Sequence, residues 1–173
     1  SGKGISATAK NIMQYPIRHT ADYLLACSEY AGEWLFGKRV KDKNNFFILK
    51  NAINAEEFIY DEATRNEIRK ELGIENKFIL GNVARFHEQK NHTFLIDVFK
   101  KVHDKNNESV LLLVGQGDLK QEIKDKVSDL GLTDSVIFTG VRSDVPDLLQ
   151  VMDVFVFPSL YEGLGIVAVE AQA

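Results

Sequence analysis

The chain of 173 residues has a single cysteine, Cys27, set in an apolar run. One thiol cannot build an internal disulfide framework, which fits a reducing compartment, and it reads as a small buried hydrophobe. No apolar run approaches the ~18 residues that a membrane span needs, and no signal peptide is visible. A basic stripe able to neutralise phosphates along a duplex is also missing. Net charge is −4 with acids and bases intermixed, which argues against nucleic acid as a partner. The densest basic stretch, Lys38-Arg39-Val40-Lys41-Asp42-Lys43, reads as a solvated loop. Cysteine and histidine never fall at zinc spacing, so no metal is expected. Neither a G-x-S-x-G elbow nor a Walker loop occurs. Gly115-Gln116-Gly117 lacks the third glycine of a dinucleotide fingerprint, because Lys120 holds its place. Internal repeats and low-complexity tracts are absent as well.

What is present is a globular composition, 45% apolar and 27% charged, long enough for a real core. From Phe78 onward strand and helix patterns alternate. Strands are expected over Phe78–Ala84, Val110–Val114, Val136–Thr139 and Val154–Phe157. Between them, helices are expected over Asn91 to about Asn106, Asp118–Leu130 and Val145 to about Met152, and a last one starts near Leu164. This order predicts a parallel, doubly wound α/β sheet of Rossmann-like type. On the 91–106 helix, Phe94, Leu95, Val98, Phe99 and Val102 mark the inward face. Earlier in the chain, Asp22–Cys27 and Asn45–Leu49 read as strands. Ser28 caps a helix over Glu29–Phe36 that Gly37 ends, and a further helix covers about Glu62 to Leu72. One βαβ unit cannot cover both faces of its strands. Residues 1–53 are therefore expected to be the tail of a second domain, and residues 54–173 an incomplete Rossmann-like domain. The Ser1-Gly2 start and the stop inside a helical pattern fit a piece of a larger protein.

In an open parallel sheet, ligands bind beyond the carboxyl ends of the strands. Four loops meet that edge: Arg85–Asn91, Gly115–Asp118, Gly140–Arg142 and Ser159–Gly165. Arg85 and Lys90 frame the first, where arginine can grip phosphate oxygens with its planar fork and lysine adds a point charge; two plain surface cations near a turn would look the same. Gly163, Leu164 and Gly165 precede the last helix, whose free N–H groups favour an anion, or they form only a tight turn. Gly115-Gln116-Gly117 reads as a plain turn with Asp118 as a helix cap. Of the histidines, His19, His92 and His103 read as surface or interface residues, and His87 lies in a ligand-side loop.

Two carboxylates, Glu162 and Glu170, are separated by seven residues that are glycine or apolar. Acids are rarely buried alone, so Glu170 inside a greasy helix calls for a polar ligand or an internal cation. If every step between them were helical they would stand ~12 Å apart along the axis. That exceeds the ~10 Å of a glycosidase pair and suits two acids holding different ends of one hydroxyl-rich ligand.

The stretch Phe157-Pro158-Ser159-Leu160-Tyr161-Glu162-Gly163-Leu164-Gly165-Ile166-Val167-Ala168-Val169-Glu170-Ala171 resembles the E-x7-E motif of retaining glycosyltransferases of family GT4, which have the GT-B fold. Gly81–Asn91 is similar to their G-x-x-x-R-(x4)-K-N segment. Ala26–Glu29 and Lys50–Asn54 resemble the end of the N-terminal domain and the crossing to the C-terminal one. The resemblance implies a cytoplasmic enzyme, placed at the inner face of the membrane when peripherally associated, in capsular or exopolysaccharide assembly. It would transfer sugar from a nucleotide-diphosphate donor to a saccharide or lipid-linked acceptor, without cofactor or metal. By the same resemblance Arg85 and Lys90 hold the diphosphate and Glu162 meets the donor sugar. Gly163, Leu164 and Gly165 offer backbone N–H groups, and Glu170 binds the ribose. The acceptor site would lie outside the chain, so the chain alone is expected to be inactive. A nucleotide-sugar epimerase and a non-catalytic nucleotide-sugar binding module remain the alternatives.

Overall fold

The computed structural model describes residues 12 and 15–173. They fall into two compact units, divided between Ala52 and Ile53.

In the first unit, β1 (Leu24–Ala26) and β2 (Phe46–Ile48) pair in parallel, Leu24 opposite Phe46 and Ala26 opposite Ile48. They are joined through α1 (Glu29–Phe36) and a short 3-10 turn at Val40–Asp42. The Ser28 hydroxyl accepts the Ala31 N–H at 3.1 Å and Gly37 ends the helix at φ 93°. That position needs a residue tolerant of positive φ. Leu24 and Ala26 are buried while Leu25 is exposed. Cys27 is exposed too, against its expected burial, because the two-residue alternation of a strand carries it outward with Leu25.

The second unit contains α2 (Glu62–Leu72), β3 (Phe78–Val83), α3 (His92–His103), β4 (Ser109–Val114), α4 (Lys120–Asp129), β5 (Val136–Gly140), α5 (Val145–Val151), β6 (Val154–Phe155) and α6 (Ile166–Glu170). Its sheet is parallel throughout, in the order β5-β4-β3-β6. All six residues of β4 are buried. Leu111 and Leu113 pack with Leu95, Ile96 and Phe99 of α3 and Ile123 and Val127 of α4. Val110, Leu112 and Val114 pack instead with Leu148 and Val151 of α5 and Ile68 and Leu72 of α2. Alternate residues of one strand thus feed two apolar layers, which is why its sequence is a continuous apolar run.

The inward face of α3 differs from expectation at two places. Ile96 is fully buried and Phe94 is 54% exposed. The helix is also shorter, starting at His92 and ending at His103. β6 stops at Phe155 rather than Phe157. Past it the Asn82 side chain takes over the pairing, donating Nδ2 to the Val156 carbonyl at 2.8 Å, and Pro158 has no N–H to give. Its start is fixed by Asp153, which accepts the Ile79 N–H at 2.7 Å and pairs with Arg65 at 2.5 Å and Arg69 at 2.9 Å.

Candidate functional site

The strand ends of the second unit carry the loops that could meet a ligand. The chain leaves β3 through Ala84 and Arg85 and closes a 3-10 turn over Glu88–Lys90. It then enters α3 through Asn91, whose φ of 54° and ψ of 42° are left-handed. Asparagine adopts that conformation at lower cost than most residues. The turn and the helix entry set Lys90 at the mouth of the sheet.

The structure joins two of the expected residues directly. Lys90 Nζ lies 2.5 Å from Glu162 Oε1, and both side chains are about four-fifths buried, at 22% and 19% exposure. The ammonium also stands 5.8 Å from the centre of the Phe157 ring. The Lys90 hydrogen bond, reinforced by one from Ser159, holds the Glu162 carboxyl below the ordinary carboxylate range, against a smaller opposing effect of burial. The carboxylate is therefore ionised at neutral pH and lies side by side with the lysine.

Arg85 stays on the outside. Its side chain is 66% exposed and pairs with Asp118 at 3.4 Å, a loose contact that an anion can displace. Asp118 therefore meets Arg85 rather than capping a helix, and α4 begins at Lys120 with Leu119 before it. Arg142, the other arginine of this edge, is committed. Asp144 accepts from its Nε at 2.8 Å and its Nη2 at 2.5 Å, and Glu71 lies at 3.5 Å. These carboxylates, Asp144 foremost, raise its proton affinity further.

The glycines divide by role. A Cβ on Gly117 would fall 2.3 Å from the Phe86 carbonyl oxygen, and one on Gly115 2.1 Å from that of Ala84. This pair lets the loop after β4 lie on the loop after β3, where Phe86 N–H donates to Gln116 at 3.1 Å. A Cβ on Gly165 would strike the Phe157 ring at 2.4 Å, whereas one on Gly163 would meet nothing within 4 Å. Gly163 lies beside Glu162 with open space over its backbone. Gly165 is the residue before α6, which starts at Ile166 rather than Leu164. The 162–165 segment is thus not helical, and the ~12 Å separation that assumed a continuous helix does not apply.

Glu170 belongs to a different surrounding. No residue of α6 is buried, and Ile166 and Val169 are 39% and 43% exposed. The expected greasy burial of Glu170 is therefore not found, because its helix is not enclosed by other elements. The carboxylate lines a cavity of about 280 Å³ with Phe58, Tyr60, Arg65, Gln150 and Met152. His87 is exposed and accepts the Gln89 N–H at 3.3 Å.

His92, expected at the surface, is instead buried, because the first turn of α3 packs it on the Phe86 ring. It is 3% exposed, stacked on Phe86 with ring centres 4.3 Å apart, and its Nδ1 has no hydrogen-bond partner among the described residues. Burial, assisted by the nearby Lys90 charge, lowers its pKa to about 4. Sequence reasoning missed Gln89. Its Nε2 donates to the Tyr161 carbonyl at 2.7 Å. Neither residue carries a local sequence signal, because both roles depend on a loop some seventy positions away or on a ring above. Among the described residues, no three His, Cys, Asp or Glu side chains are placed to hold a metal ion, and no helix is long and apolar enough to cross a membrane.

The family described as Glycosyl transferases group 1 matches residues 64–173. A Bacillus subtilis (strain 168) protein named as the glycosyltransferase EpsF is 39% identical over 154 residues, covering 88% of this chain and 40% of that protein. The Escherichia coli UDP-Gal:alpha-D-GlcNAc-diphosphoundecaprenol alpha-1,3-galactosyltransferase is 31% identical over 136 residues, 76% of this chain and 35% of that enzyme. Among solved structures, Anabaena Alr3699/HepE in complex with UDP and glucose superposes with a TM-score of 0.78 at 24% identity, over 96% of this chain and 46% of that one. The chain thus spans less than half the length of these relatives.

Proposed function

The chain belongs to the Glycosyl transferases group 1 family, with the parallel α/β architecture of GT-B glycosyltransferases, and from that premise we propose that it forms the donor side of a retaining enzyme of the GT4 type. The whole protein would move a sugar from a nucleoside diphosphate to a saccharide or lipid-linked acceptor in polysaccharide assembly, at the cytoplasmic face of a membrane. The single observation that carries the reading is the Lys90–Glu162 pair with the exposed Arg85 beside the same strand ends.

The chemistry follows from those groups. A leaving nucleoside diphosphate gains negative charge as the bond to the anomeric carbon stretches. Arg85 and Lys90 stabilise that charge in place, with little reorganisation. Glu162 is ionised and can accept hydrogen bonds from sugar hydroxyls. Gly163 leaves room for a ligand to approach the backbone N–H groups. Glu170, which lines a cavity that includes neither Arg85 nor Lys90, is assigned to the ribose hydroxyls on the family resemblance alone. The UDP bound by HepE and the UDP-galactose named for the E. coli relative support a uridine nucleotide as the donor to try first.

Calorimetry with UDP, uridine and inorganic pyrophosphate tests the assignment. Glu170→Gln should weaken UDP and uridine while leaving pyrophosphate unchanged. An equal loss for all three ligands would remove Glu170 from the ribose. Incubation with a UDP-sugar and no acceptor should leave the sugar's configuration unchanged; an epimerised sugar would favour an epimerase instead.

A further inference from the structure

The loops after β3 and β6 are fastened to each other around the Lys90–Glu162 pair. Asn82 Nδ2 donates to the Val156 carbonyl at 2.8 Å and Asn91 Nδ2 to that of Pro158 at 3.3 Å. The Leu160 N–H donates to the Gln89 carbonyl at 2.9 Å, and Gln89 Nε2 returns a bond to the Tyr161 carbonyl at 2.7 Å. Gln89 and Tyr161 are the immediate neighbours of Lys90 and Glu162. The reciprocal Gln89 bonds thus hold the two peptide units from which the charged side chains project.

We propose that Gln89 and Asn91 are positioning residues, whose side-chain amides clip the β6 loop to the β3 loop and so set the spacing of Lys90 and Glu162 for a nucleoside-diphosphate sugar. The clip rests on the reading of Lys90 and Glu162 as donor-binding groups. The ion pair joins only the tips of the two side chains, whereas the Gln89 bonds reach the peptide units that carry them. Residue types also fit the task. Glycine would satisfy the left-handed backbone at position 91 with less strain, yet asparagine stands there and brings an amide to Pro158. Glutamine at 89 supplies the donor to the Tyr161 carbonyl and adds no charge beside Glu162.

The test uses Gln89→Met, of similar length without a donor, and Asn91→Gly, which keeps the backbone conformation and loses the amide. Each is compared with the unmodified protein by thermal unfolding, by carbon-13 titration of the Glu162 carboxyl and by calorimetry with UDP-glucose. The clip predicts cooperative folding in both variants and a Glu162 titration that moves up toward its ordinary value near 4.5. It also predicts about two- to tenfold weaker UDP-glucose binding, the scale of one lost hydrogen bond. An unchanged Glu162 titration in both variants overturns the proposal. Lys90→Ala separates the two layers. If it leaves UDP-glucose affinity intact while the Glu162 titration still responds to Gln89→Met, the clip stands and the donor reading falls.

Discussion

Gly163 and Gly165 differ in what an added methyl group would meet, and that difference separates folding from binding. At Gly165 the methyl meets the Phe157 ring at 2.4 Å. Gly165→Ala should cost about 1–3 kcal/mol of stability through overpacking, measured by urea denaturation. At Gly163 there is open space. Gly163→Ala should keep stability within about 0.5 kcal/mol while weakening UDP, because the methyl occupies the ligand's approach. His92 makes a pH prediction. Its folded pKa near 4 lies below the ordinary 6.5 because burial and Lys90 oppose the charge. The unfolded chain therefore takes up a proton that the folded one refuses. Stability should fall as pH drops from about 6.5 toward 4, by roughly 2 kcal/mol between pH 7 and pH 5. His92→Phe keeps a ring on Phe86 and deletes the buried Nδ1, so denaturation curves of the variant should lose most of that slope. A slope equal to that of the unmodified protein would mean that His92 is not the group responsible.

Elements show where sequence was enough and where it was not. Helices α1 and α2 were legible to the residue, since Ser28 and Gly37 bracket one and the helical pattern over Glu62–Leu72 marks the other. β4 was legible from Val110 onward because a strand covered on both faces reads as a continuous apolar run, and only its first residue, Ser109, was missed. The end of β6 was not, because it depends on Asn82, seventy-four positions earlier, finishing the ladder with a side chain. Neither the exposure of Cys27 nor the burial of His92 was legible, since each turns on which face of a short element is covered. Of the candidate site, the positions of Arg85, Lys90 and Glu162 in loops after strands were legible, whereas the surrounding of Glu170 was not. That Arg142 is tied up by Asp144 and Glu71 could be learned only from the fold. Asp153 governs the entry to β6. Burial pushes its carboxyl up, but the Ile79 N–H and the two arginines outweigh it and the net shift is downward. Asp153→Ala would leave Arg69, 8% exposed, without its carboxylate. We expect a loss of about 3 kcal/mol, checked by chemical denaturation.

The whole second unit is a sheet covered on both faces whose strand ends converge on one charged edge. Its carboxylates set its acid limit. Asp144, Asp153 and Glu162 all titrate below their ordinary values. The stability they contribute is complete above about pH 4.5 and is lost as pH falls through their lowered values. Thermal unfolding should thus show a second decline below about pH 4, distinct from the His92 slope at milder pH. On the proposed reading, Arg85 and Lys90 of this edge grip the diphosphate of the donor. Calorimetric titration of UDP into the unmodified protein and into Arg85→Ala and Lys90→Ala tests it most directly. Each variant should bind UDP at least about tenfold more weakly, the scale of a lost charge-assisted contact, with uridine affinity unchanged. UDP affinity equal to that of the unmodified protein in both variants would contradict the account.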